Sequence, residues 1–183
     1  MCYTFKSMNI DNSAVEAVHA FMLAHPAVSA CAIFLNYASV AVLVCGAAFF
    51  LWRRKSRELF FVLCFSAASA YLLSRIIGFI HFRPRPFITH GFIPLIAEPT
   101  TSKSFPSSHA ITAFAIAFVL YRYDKKWGQF AFVVAGLIAC ARVLVGVHYP
   151  SDVLAGAVLG VLLSAIIYRL RKSLIWQPIP NSK

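Results

Sequence analysis

Residues 129–152 read QFAFVVAGLIACARVLVGVHYPSD. From 129 to 147 the stretch is almost wholly apolar, and at about 1.5 Å per residue a helix there reaches roughly 28 Å. That length matches the hydrocarbon thickness of a bilayer. Three ionisable residues, Arg142, His148 and Asp152, sit at the mouth of this segment. Such groups are costly at a membrane boundary unless paired or used, so the cluster marks a working site.

Working outward, four further apolar runs cover about 27–51, 59–80, 108–123 and 152–169. The pattern predicts an all-α, polytopic membrane bundle of five or six helices, one domain over residues 1–183. A hydrophobic content of 60% with 13% charge agrees with this class and lies far from a soluble average. The run 108–123 is short, which fits a helix whose outer end stops at a recessed polar site. Ser13–Ala24 is apolar but too short to cross comfortably, so an interfacial helix over 12–25, ended by His25-Pro26, is expected, with a sixth crossing as the alternative. No cleaved signal peptide is expected, because the polar opening lacks a basic n-region.

The net charge of +11 raises the question of nucleic acid, but its placement argues against that partner. Arg53, Arg54, Lys55 and Arg57 follow the first span; Arg122, Lys125 and Lys126 follow the third; Arg169, Arg171 and Lys172 follow the fifth. With five spans all three clusters fall on one side, which the positive-inside rule makes cytoplasmic. The loop 81–107, the turn 148–151 and the N-terminus then lie outside, and the ionisable cluster with them. The five cysteines show no CxxC spacing, and four are read as small buried hydrophobes. Gly156-x3-Gly160 reads as a close-packing face within the fold.

Two blocks upstream complete the site. Phe105-Pro106-Ser107-Ser108-His109 opens an apolar run, and Arg83-Pro84-Arg85-Pro86 precedes it. Serine favours the N-cap position, and free N–H groups at a helix start bind phosphate oxygens. Arginine's planar fork suits bidentate contact with phosphate. A phosphoryl-transfer site needs a nucleophile, a proton donor and positive charge around the equatorial oxygens. Here His148 is the candidate nucleophile, Asp152 its orienting partner and His109 the acid. Arg85, Arg142, Arg83 and the Ser107 and Ser108 amides are the candidate charge holders.

These blocks resemble the type 2 phosphatidic acid phosphatase superfamily, whose motifs read K-x6-R-P, P-S-G-H and S-R-x5-H-x3-D. Arg142-x5-His148-x3-Asp152 matches the third, Pro106-Ser107-Ser108-His109 the second, and Arg85-Pro86 ends the first. The resemblance implies a phosphohistidine at His148, with Asp152 as partner and His109 as acid, and no metal or other cofactor. The chain departs at three positions: Gly78 stands at the lysine position, Ser108 where glycine is usual and Ala141 where serine is usual. Counting instead from Arg83 gives Ile76. Arg83 and Arg75 are candidates to supply the missing charge, and Lys103 is a candidate to attract a diphosphate. His81 and His90 match no block and read as loop-surface residues.

Arg83-Pro84-Arg85-Pro86-Phe87 is similar to bacterial undecaprenyl-diphosphate phosphatases of the bacitracin-resistance type. That resemblance implies a multi-pass protein of the bacterial cytoplasmic membrane. Its partners would be surrounding lipid and an isoprenoid or phospholipid phosphate substrate, entering from outside. Phosphatidylglycerophosphate or phosphatidate is the alternative substrate, since each presents a terminal phosphate. A small anion transporter, a serine hydrolase and a metal hydrolase are the other readings. The first lacks internal repeats, and the second lacks a G-x-S-x-G elbow. The third sits poorly with arginine-rich surroundings.

Overall fold

The computed structural model describes residues 2–175, with side chains described for residues 10–171. Among the described residues every regular element is helical: α1 (Cys2–Ala24), α2 (Pro26–Arg54), α3 (Arg57–Ile80), α4 (Pro86–Thr89), α5 (Ser108–Tyr123), α6 (Lys125–Leu144) and α7 (Pro150–Ile175). Local chemistry explains the boundaries. Ser56 caps α3 by accepting from the Leu59 amide, and Asp124 caps α6 by accepting from the Lys126 and Trp127 amides. Pro26 opens α2 at a position where a missing N–H is harmless.

α2, α3, α6 and α7 are long and apolar enough to cross a membrane. α5, with 16 residues, is shorter and sits centrally, packed on α3, α6 and α7. Burial is inverted relative to a soluble bundle. Phe79 and Phe34 are 91% and 73% exposed, whereas Ser66, Ser74 and Ser164 are wholly buried. Acyl chains are as apolar as a protein interior, so outward phenylalanines lose nothing, while the buried Ser74 hydroxyl finds its partners inside, at the Tyr71 carbonyl and Ser108. The same reasoning corrects the reading of the cysteines. Cys31, Cys45, Cys64 and Cys140 are exposed on outer helix faces, because lipid serves them as well as a core would.

Small residues set the central contact. A Cβ at Gly160 would lie 2.2 Å from the Ile111 carbonyl oxygen, and one at Gly156 would lie 3.0 Å from that of Ser107. The glycine pair therefore seats α7 against α5 within the chain. A larger core of Phe50, Leu59, Val62, Val119, Leu120 and Ala135 holds the opposite half together.

The two ends of the bundle differ in content. At one end Arg54 closing α2 meets Asp124, and Glu58 opening α3 meets Tyr123 and Arg171. At the other, the end of α3 and the end of α6 meet the starts of α5 and α7. α1 extends further toward the N-terminus than the apolar stretch 12–25 suggested. It is not among the helices apolar enough to cross. Val15 and Met22 are buried, and Met22 packs with Phe87, Ile96 and Val147, so α1 lies over the second end.

Candidate active site

After α6 ends, Gly146 takes φ +79°, a left-handed conformation that favours glycine. A Cβ there would also stand 2.9 Å from the Phe92 ring. This turn delivers His148 to the protein interior and starts α7 at Pro150, placing Asp152 in its first turn. His148 Nδ1 lies 3.5 Å from Asp152 Oδ2. Both side chains are buried, Asp152 completely.

Asp152 is held by several donors at once. Ser104 Oγ donates to Oδ2 at 2.5 Å, the Tyr149 amide to Oδ2 at 2.9 Å, and Arg83 Nη1 to Oδ1 at 2.8 Å. Arg83 also donates to Ser151 and to Asp11 of α1, at 2.8 and 2.9 Å, and stacks 3.7 Å above the Tyr149 ring. Asp11 in turn accepts from the Ser151 hydroxyl and amide. Arg83, expected as a phosphate contact, is thus occupied behind Asp152 by two carboxylates.

Arg85 and Arg142 form a second group. Both donate to Glu98, Arg85 Nη2 to Oε2 at 3.3 Å and Arg142 Nη2 to Oε1. Arg85 is further fixed by Ser102 at 2.8 Å and by the Val147 carbonyl at 3.0 Å; Arg142 donates to Asn36 of α2 at 3.2 Å. The Nε–H of Arg142 is buried with no protein acceptor. Burial pushes the Glu98 carboxyl up, but the hydrogen bond and charge of Arg142, with Arg85 behind it, outweigh this and hold it below its usual range. Burial lowers the His148 imidazole to about 4 against the opposing pull of Asp152, with Arg85 and Arg142 adding to the lowering. The ring is therefore neutral near pH 7.

The start of α5 closes the site. Ser107 is the buried N-cap, and its amide donates to the Asp152 carbonyl at 3.1 Å. Ser108 Oγ lies 2.8 Å from Ser74 Oγ and accepts from Lys103 Nζ at 3.3 Å. His109 is exposed toward a cleft of about 210 Å³ that is otherwise mostly apolar, walled by Val40, Leu43, Ile116 and Ile138. His148, Asp152, His109, Ser107, Ser108, Arg85 and Arg142 are thus gathered at one end of the bundle.

A sequence profile of the PAP2 superfamily matches residues 58–176, most of the chain. The chain belongs to the PAP2 superfamily. Among characterised relatives, it is 38% identical over 99 residues to the bacitracin transport permease protein BcrC of Bacillus licheniformis, covering 54% of this chain and 49% of that one. The chain thus spans about half the length of that relative. It is 28% identical over 156 residues to the undecaprenyl-diphosphatase BcrC of Bacillus subtilis, covering 84% and 80%. The crystal structure of a PAP2-type phosphatidylglycerolphosphate phosphatase from Bacillus subtilis superposes with a TM-score of 0.68 at 22% identity, over 95% of this chain and 90% of that one. That likeness concerns the fold.

Within this PAP2 chain, four site residues lay outside the blocks: Asp11, Asn36, Glu98 and Ser104. Each is a common polar residue in a helix or loop with no spacing signal of its own. Asp11 sits 140 residues from Ser151, and only the folded arrangement pairs them. His90, read as a loop-surface residue, is instead half-buried and bridges the loop to α1. It contacts Glu16 at 2.9 Å and Asn12 at 3.3 Å. His81 is exposed and meets the Phe105 ring edge-on.

Proposed function

We propose that the chain is a lipid diphosphate phosphatase that releases inorganic phosphate from undecaprenyl diphosphate and leaves undecaprenyl phosphate in the membrane. One observation carries the reading: a neutral, buried His148 seated on Asp152 adjoins two guanidiniums, Arg85 and Arg142, that share a single carboxylate. Glu98 there makes the bonds that oxygens of a bound phosphate would make. Undecaprenyl-diphosphatase is the name carried by the Bacillus subtilis relative.

The chemistry follows from these positions. His148 Nδ1–H faces Asp152, leaving Nε2 with the lone pair. Nε2 attacks the terminal phosphorus, the bridging P–O bond breaks, and His109, protonated once the negative charge of the diphosphate lies beside it, gives its proton to the departing oxygen. Water then attacks the phosphohistidine while neutral His109 takes its proton. The P–N bond breaks and inorganic phosphate leaves. Arg85, Arg142 and the amides at the start of α5 hold the equatorial oxygens throughout. Arg83 acts one step back, by holding Asp152. The cleft beside His109 and Ser108 accepts the first part of the lipid tail. The basic end faces the cytoplasm by the positive-inside rule, so the site opens to the periplasm or cell exterior, with α1 lying in the interface.

The deciding experiment measures phosphate release by purified protein from undecaprenyl diphosphate and from phosphatidylglycerophosphate. The expected result is faster turnover of the diphosphate and no turnover by His148→Ala. An active His148→Ala protein would sink the phosphohistidine mechanism, and a preference for phosphatidylglycerophosphate would reassign the substrate.

A further inference from the structure

Gly78 leaves the site without the lysine of the first block, yet the volume above it is filled. A Cβ on Gly78 would lie 1.9 Å from Lys103 Cδ, 2.7 Å from Cε and 2.8 Å from Cγ. The stem of Lys103, arriving from the loop before α5, therefore lies directly across the bare backbone of α3. Its tip ends on the second block: Nζ donates to the Pro106 carbonyl at 2.6 Å and to Ser108 Oγ at 3.3 Å. Ser108 is the immediate neighbour of His109.

Lys103 is buried, with 9% of its surface exposed, and among the described residues no carboxylate forms an ion pair with it. Its nearest charges include two cations, Arg75 and Arg85, with Asp152 the one opposing charge that acts on it. A buried cation beside other cations is costly unless an anion joins them. Burial first, then Arg75 and Arg85, lowers the ammonium to about 8, so it is charged at pH 7 and would be further favoured by a bound anion.

We propose that Lys103 is a phosphate-binding residue of this site, delivered from the loop to the place a lysine at position 78 would reach, and that Gly78 is the bare backbone its stem requires. The inference rests on the phosphatase reading above. Lys103 contacts the terminal phosphate of a lipid phosphate or diphosphate from the Ser108 side, opposite the Arg85–Arg142 pair. Gly78 and Lys103 are then two halves of one exchange. The charge has moved by 25 positions along the chain, and the side chain it would have displaced is absent.

The test moves the lysine back. Lys103→Met keeps most of the stem and removes the charge. Its kcat/KM should fall roughly 10- to 100-fold, the scale of one charge-assisted hydrogen bond, with KM carrying much of the loss. The double variant Gly78→Lys/Lys103→Gly should recover at least tenfold of that loss, whereas a lysine acting only as a pin for the Pro106 carbonyl would give no such recovery. Wild-type kinetics in Lys103→Met, or a folded double variant no better than the single one, overturns the assignment.

Should either variant fail to fold, wild-type protein decides through amine-directed acylation of Lys103. Protection by inorganic phosphate supports the proposal, and unchanged labelling overturns it. Wild-type and His148→Ala turnover run alongside. An inert wild type indicts the phosphatase reading, and an active His148→Ala indicts its phosphohistidine mechanism; an inert His148→Ala with an unaffected Lys103→Met indicts Lys103 alone.

Discussion

The two ends of this bundle use the same residue types to opposite effect. At the basic end Arg54 and Asp124 meet at 2.5 Å with the arginine half exposed, and Arg171 meets an equally exposed Glu58 at 2.8 Å. At the site end Arg83 and Asp152 meet at 2.8 Å with the carboxylate fully buried, tied to Ser104, His148 and the Tyr149 amide. Distance alone does not separate the two. Solvent does: exposed pairs are screened and individually weak, whereas a buried carboxylate without its partners is an uncompensated charge. The basic end needs only its sign, which is what the proposed orientation uses. The site end needs geometry, and it obtains that by connecting α1, α7 and two loops through carboxylates.

The largest effect that would break this contrast is at Asp152. Asp152→Asn turns one carboxylate oxygen into an amide donor, so that Arg83 on one side and Ser104, the Tyr149 amide and His148 on the other no longer all find an acceptor, and it removes the charge that neutralises Arg83. By analogy with other carboxylate-oriented histidines, kcat should fall roughly 10³- to 10⁴-fold. Stability should fall as well, toward the low end of the roughly 3–5 kcal/mol seen when a buried pair loses a member, because Asp11 still holds Arg83. A variant with near wild-type kcat would show that His148 needs no such partner.

A smaller effect, of opposite sign, is expected at Glu98. Its carboxylate spans the two guanidiniums assigned to phosphate, so it competes with the ligand for them. Glu98→Gln keeps the shape and removes the charge. Inorganic phosphate should then inhibit roughly tenfold more tightly, within the range of a charge-assisted hydrogen bond reduced by the partial exposure of the site. Weaker inhibition would mean that Glu98 positions the arginines instead of competing for them.

These two residues also show what the sequence could and could not carry. Apolar runs of bilayer length, broken by basic clusters, are a one-dimensional signal, so the helices and their alternation were readable directly. His148 and Asp152 lie four apart across a helix start, and Arg142 lies six residues before His148, so their grouping was readable as well. Glu98, Ser104 and Asp11 were not, because each gains meaning only from a partner brought near by packing. The gap at Gly78 was visible as a missing charge. What fills it was not, because the Lys103 stem crosses from another segment and only the folded chain places the two together. α1 was underestimated for a related reason. Asp11 and Asn12 look like a polar lead-in, yet they lie within the helix and face Arg83 and His90.

The smallest effect belongs to the basic end, and it tests the contrast from the other side. Arg171 donates to Glu58 and to the Tyr168 carbonyl and stacks 3.8 Å from the Tyr168 ring, a contact set about as rich as that of Arg83. If contacts alone decided, Arg171→Ala would cost as much as a change at the site. Solvent screening predicts otherwise: a shift of about 2 °C or less in the unfolding midpoint in detergent, and unchanged kcat/KM. A loss comparable to Asp152→Asn would mean that the basic end is held as tightly as the site. The division of labour between the two ends would then fail.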